Sequence, residues 1–163
     1  MNRKVTTLGM MLALALVLAY IEAIVPMPFG VPGMKLGLPN LMTVLLLYTY
    51  GWKEALLVNL LRIFLSGFMF GGMSAILFSL AGALVSFLVM VLLKKSDRFG
   101  VPGVSAAGGV AHNVGQMGVA AIMVKTAGVL YFAAPLLIAG CLTGAAIGAA
   151  ATALLPYLRR MIK

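Results

Sequence analysis

Met73-Ser-Ala-Ile-Leu-Phe-Ser-Leu-Ala-Gly-Ala-Leu-Val-Ser-Phe-Leu-Val-Met-Val-Leu-Leu93 runs for 21 residues without a charge, and Lys94 and Lys95 follow at once. At about 1.5 Å rise per residue, a helix of this length matches a hydrocarbon core about 30 Å thick. Other apolar runs lie on both sides of it, at 5–25, 41–50, 54–70, 104–124 and 129–158. This pattern predicts an all-α integral membrane protein, a bundle of six transmembrane helices forming a single domain over residues 1–163, with no room for a soluble domain. The second run is short; Asn40 is its expected N-cap after Pro39, and Tyr50 and Gly51 end it. The sixth is long, and Pro135 and Pro156 predict a break or kink near each.

Composition agrees. Hydrophobic residues make up 63% of the 163 and charged residues 9%, too few polar side chains to cover a water-soluble globule. The net charge of +9, from 12 Lys and Arg against 3 acids, sits at the ends of the apolar runs. No basic stripe interleaved with exposed aromatics is present, so nucleic acid is not an expected partner and the lipid bilayer is. The single Cys141 excludes an internal disulfide framework and a cysteine-based metal cluster. Arg3 and Lys4 before the first apolar run resemble the start of a leader, but the run continues through Glu22 into further hydrophobic segments, so it is expected to be retained.

Orientation follows from the loops. Arg3, Lys4, Lys53, Lys94, Lys95, Arg98, Arg159, Arg160 and Lys163 share one side of an alternating bundle, and the other side holds only Lys35 and Lys125. The excess of basic residues predicts cytoplasmic N- and C-termini, with the Pro- and Gly-rich connection 26–40 outside. Pro26, Pro28, Pro32 and Pro39 forbid a regular helix there, while Phe29, Met34 and Leu36 are unusual in a solvated linker. The connection is therefore read as a cap or re-entrant segment over a binding site, against the plainer alternative of a surface linker.

Polar groups inside the spans mark the candidate site. Arg62 lies near the middle of the third run, with Asn59 three residues before it and Ser66 four after it on the same face. Glu22, the only acid within a span, either neutralises Arg62 or receives a cationic group of a ligand. His112, Asn113 and Gln116 form a second cluster in the fifth run among Gly108, Gly109, Gly115 and Gly118, either a packing network or a pocket. With Lys35 and Asn40 of the outer connection, the expected ligand-binding set is Glu22, Lys35, Asn40, Asn59, Arg62, Ser66, His112, Asn113 and Gln116. Small residues at four-residue spacing, Ala15, Ala19 and Ala23 in the first run and Gly140, Gly144 and Gly148 in the sixth, allow close approach, either within the bundle or to another subunit.

Enzymatic patterns are missing. Gly103-Val-Ser105-Ala-Ala107 fails the nucleophile-elbow pattern at its last position. Glu22, Glu54 and Asp97 lie in three different segments, whereas Mg²⁺-dependent diphosphate chemistry needs clustered carboxylates. A phosphate-cradling loop ending in Lys-Ser/Thr is also absent. The reading assigns no catalytic residue, no metal and no cofactor, and leaves any energy coupling to a partner.

Pro32-Gly-Met-Lys-Leu-Gly-Leu-Pro-Asn-Leu41, after a first span with a basic tip and before Asn59-Leu-Leu-Arg62 and Gly67, resembles the Gx transporter family. That family is also known as heptaprenyl diphosphate synthase component I and groups with the substrate-binding S components of energy-coupling-factor transporters. The resemblance covers nearly the whole chain. It implies a bacterial plasma-membrane subunit with six helices and an outward-facing ligand site under the first loop. It also implies docking, through Ala15, Ala19 and Ala23, on a transmembrane coupling subunit that works with two ATPase subunits. The expected function is capture of a small vitamin-like or precursor ligand, anionic in view of Arg62, Lys35 and His112. The alternatives are a noncatalytic membrane component of a heptaprenyl or polyprenyl diphosphate synthase, and a structural membrane scaffold.

Overall fold

The computed structural model describes residues 3–25, 37–124, 131 and 133–162, and among these every regular element is helical. Helix α1 spans Arg3–Ile24, α2 Asn40–Thr49, α3 Trp52–Ser66, α4 Gly72–Lys95, α5 Val101–Val124 and α6 Ala133–Ile162. Among the described residues three helical stretches are long and apolar enough to cross a membrane: Arg3–Ile24, Trp52–Lys95 and Ala133–Ile162. The chain is a membrane protein. Its outer surface carries the side chains such a protein turns to lipid, among them Val17, Leu57, Phe68, Leu88, Ile122 and Leu142.

Local chemistry explains most boundaries. Tyr50 and Gly51 both donate backbone N–H groups to the Leu46 carbonyl, and Gly51 takes φ 110°, a left-handed value that a side chain would resist. Between α3 and α4 the chain passes through a π-helical segment, Gly67–Gly71, and breaks at Gly72 with φ 79°. The sixth helix begins at Ala133, so Pro135 falls in its first turn, where no helical N–H partner is lost, and the expected break there does not occur. The break expected at Pro156 is also absent. The helix runs on to Ile162, with Leu155 and Leu158 buried on either side of the proline and holding the last turns to the core. The expected Asn40 cap is a further correction. Pro39 occupies the N-cap position with no side-chain cap, and the Asn40, Leu41 and Met42 N–H groups bond to the Gly37, Leu38 and Pro39 carbonyls.

Polar contacts sort the helix ends. Lys4 Nζ pairs with Glu54 Oε1 at 2.5 Å. Lys94 donates to the Leu47 carbonyl and stands 4.9 Å over the Tyr48 ring, and Arg159 Nη2 donates to the Tyr48 carbonyl at 3.4 Å. These bonds gather the start of α1, the end of α2, the start of α3, the end of α4 and the end of α6 at one basic end. At the other end Tyr20 meets Phe70 edge-on, 5.7 Å between ring centres. Of the basic residues expected in loops, Lys35, Lys125 and Lys163 lie outside the described residues, as does 26–36 of the Pro-rich connection.

The core forms around the short α2, whose Met42–Leu47 stretch is buried throughout against Met11, Ala15, Ala55, Val58, Phe87, Met90, Val104, Ala151 and Leu155. Ten residues of helix cover about 15 Å, half a hydrocarbon thickness. With its end at the basic pole, α2 therefore starts halfway along its neighbours. Glycines set the distances among α4, α5 and α6. A Cβ on Gly115 would come 2.7 Å from the Ala81 carbonyl oxygen, and one on Gly148 would come 2.5 Å from Pro102 Cα. The Gly140, Gly144 and Gly148 stripe is thus spent on the α5–α6 seam.

Candidate functional site

The early start of α2 creates a space. Gly37 and Asn40 stand over a narrow cleft of about 30 Å³ between α2, α4, α5 and α6, whose wall includes Gly108, Gly109, Gly140 and Gly144. Its polar lining comes from Asn40, Ser86, Ser105, His112, Asn113 and Thr143, and its apolar lining from Val44, Met90 and Ile147. The cleft has room for about two water molecules, well under the roughly 300–1,000 Å³ of pockets that enclose small organic molecules, so such a ligand would have to part the surrounding helices. His112 lies over α4, where a Cβ on Gly82 would come 2.8 Å from the ring, so this glycine makes the room that His112 occupies. Asn113 Nδ2 donates to the Leu136 carbonyl at 2.5 Å and so reaches α6.

Next to the cleft, on the α1 and α3 side, a second polar group holds the same segment. Arg62 is buried in α3; its Nη2 donates to Asn59 Oδ1 at 2.6 Å and to Asn40 Oδ1 at 3.4 Å. Glu22 of α1 accepts a hydrogen bond from the Gly37 N–H, and its charge also acts on Arg62. A buried guanidinium is tolerated only when acceptors and a counter-charge replace its water, and two carboxamide oxygens with Glu22 nearby supply them. Gly37 takes φ 73°, and a Cβ there would crowd Asn40 Nδ2 at 3.1 Å, so the position beside Asn40 suits glycine.

The structure therefore divides the expected set. Asn40, His112 and Asn113 line the cleft; Glu22, Asn59 and Arg62 support it from outside; Asn40 belongs to both groups. Ser66 turns back on its own helix and donates to the Ile63 carbonyl at 3.3 Å. Gln116 is buried but does not line the cleft, and Lys35 lies outside the described residues. Among the described lining residues none is Lys, Arg, Asp or Glu; of the three residues behind the expected anionic preference, His112 lines the cleft, Arg62 lies beside it and Lys35 is outside the described residues. Ser86, Ser105 and Thr143 were not expected. Ser105 reads only as part of a failed nucleophile motif, and one sequence carries no signal that turns Ser86 or Thr143 inward.

The alanine stripe does not form one outward face. Ala15 and Ala19 are 2% and 9% exposed, inside the bundle, and Ala23 alone is exposed. The three acids remain apart: Glu22 on Gly37, Glu54 on Lys4 at the basic end, and Asp97 in the α4–α5 turn with φ 52°.

A family profile described as heptaprenyl diphosphate synthase component I matches residues 11–154. Neither the curated proteins nor the solved structures provide a match.

Proposed function

This chain belongs to the heptaprenyl diphosphate synthase component I family, and from that premise we propose that it is a noncatalytic, membrane-embedded subunit that binds a small molecule. In this reading the bundle spans the bilayer six times with both termini cytoplasmic, and the cleft takes a vitamin-like or precursor ligand from outside for an energy-coupling-factor-type importer. The coupling subunit and its two ATPases supply the energy. One observation carries the proposal: a half-length helix, buried on all sides, brings Gly37 and Asn40 to mid-depth over a cleft with convergent polar groups. Interrupted helices that end at such a cleft are how membrane bundles build midplane binding sites. The separate places of Glu22, Glu54 and Asp97 support a noncatalytic role, since diphosphate transfer would call for gathered carboxylates.

The family description favours a second reading, in which the chain holds a lipid substrate for a soluble prenyl diphosphate synthase. A seven-isoprene tail would overfill the cleft and lie in lipid, leaving only its polar end inside. Affinity purification from the native membrane, with mass spectrometry of both co-purified proteins and extractable small molecules, separates the readings. A coupling subunit with ATPases and a small amphipathic molecule is the expected result. A soluble aspartate-rich prenyltransferase with a polyprenyl diphosphate would establish the second reading instead, and neither partner nor molecule would leave a scaffold.

A further inference from the structure

A serine or threonine buried in a helix can satisfy its hydroxyl on a carbonyl one turn back. Thr49 does so on Leu45, Ser66 on Ile63, Thr143 on Ala139 and Thr152 on Gly148, at 2.7 to 3.3 Å. Ser86 of α4 and Ser105 of α5 do not. Each is 4% exposed and lines the cleft, and neither hydroxyl has a hydrogen-bond partner among the described residues. A buried hydroxyl is costly to leave unmade, and native proteins commonly satisfy such groups with ordered water. The surroundings fit water. Ser86 Oγ lies 3.2 Å, and Met90 Sδ 2.7 Å, from the point where a Cβ on Gly108 would stand. Ser105 precedes Gly108 by three residues, on the same face of α5. The two serines and the Met90 sulfur therefore share one wall of the cleft, where about 30 Å³ gives room for about two waters.

We infer that the cleft is a hydration site inside the bundle, holding about two ordered waters that bond to the hydroxyls of Ser86 and Ser105. Asn40, Asn113 and Thr143 also line it and bring the polar partners of each water to the number that keeps one in place. Helices α4 and α5 are then joined here through solvent, while at Gly115 and Ala81 they meet backbone to backbone. The inference stands whether or not the cleft admits an organic ligand. Any ligand that did enter would have to replace the bonds of the waters it displaced.

X-ray radiolytic footprinting of the purified full-length protein in detergent tests this. Radiolysis makes hydroxyl radicals from water held inside a protein as well as from bulk water, and a neighbouring methionine records them as sulfoxide. Met90, 4% exposed, lies at the cleft; Met11 and Met42, 4% and 7% exposed, are buried in the core away from it. Met90 is expected to oxidise several-fold faster than Met11 and Met42, and to resist chloramine-T, a bulk oxidant larger than water. Ser86→Ala combined with Ser105→Ala should bring the Met90 rate down towards that of Met11. Equal rates for the three methionines in the unmodified protein would overturn the inference, as would oxidation of Met90 by chloramine-T, which would mean entry from bulk. An unchanged Met90 rate in the double variant, folded by its thermal transition, would also overturn it. The comparison within the unmodified protein decides alone if that variant does not fold.

Discussion

Arg62 Nη2 donates to Asn59 Oδ1 at 2.6 Å across one turn of α3, so the buried guanidinium finds its shortest bond within its own helix. Arg62→Met strands that oxygen in the bundle, at a cost of about 1–3 kcal/mol of stability. Adding Asn59→Leu should recover much of the loss by removing the stranded group. Thermal unfolding of the two single variants and the double variant in detergent measures the coupling. A smaller coupling is expected in the matching Glu22→Gln cycle, since Glu22 bonds to the Gly37 N–H; the reverse ranking would make Glu22 the structural partner of Arg62.

Two helical glycines should respond in opposite directions. Gly118 has open space where a Cβ would go, so Gly118→Ala should stabilise the protein by about 0.5–1 kcal/mol through helix propensity. At Gly148 a Cβ would come 2.5 Å from Pro102 Cα, and Gly148→Ala should cost about 1–3 kcal/mol by forcing α5 and α6 apart. Melting temperatures of the two variants under identical conditions decide it.

The alanines of α1 should separate by burial. Ala15→Leu overpacks a site 2% exposed in the core and should lower stability by about 1–3 kcal/mol. Ala23→Leu adds bulk at an exposed position and should leave the fold intact. Should Ala15→Leu fold normally while losing a membrane partner, α1 would have to turn this face outward in the assembly.

Orientation is open to cysteine labelling on whole cells in a Cys141→Ser background. With the basic end in the cytoplasm, Lys35→Cys should react with a membrane-impermeant maleimide and Asp97→Cys should react only after permeabilisation. The opposite pattern would invert the bundle.

Asn40 shows how far a single sequence carries. An asparagine after a proline at the start of an apolar run reads as an N-cap, a purely local inference. The structure gives the N-cap position to Pro39 and turns the Asn40 oxygen to Arg62, 22 residues away. Arg62 and Asn59 were legible as a pair because helical spacing alone sets them on one face. Ser66 satisfies the same spacing, yet its hydroxyl takes the nearer carbonyl of Ile63.

The apolar runs, the basic residues at their ends and the prolines and glycines between them are enough to determine that this chain is helical and built for a membrane. In a medium without water each backbone group must bond locally, so helices follow from hydropathy before any packing is known. Which helix lies beside which depends on where backbones can touch. That is decided in the folded bundle by Gly115 against Ala81 and Gly148 against Pro102. The cleft, the bond from Arg62 to Asn40, and the inward turn of Ala15 and Ala19 on α1, which packs on α2 and α3, are likewise set by how helices meet. Only the tertiary structure determines them, because each joins residues from different helices whose separation no local pattern encodes.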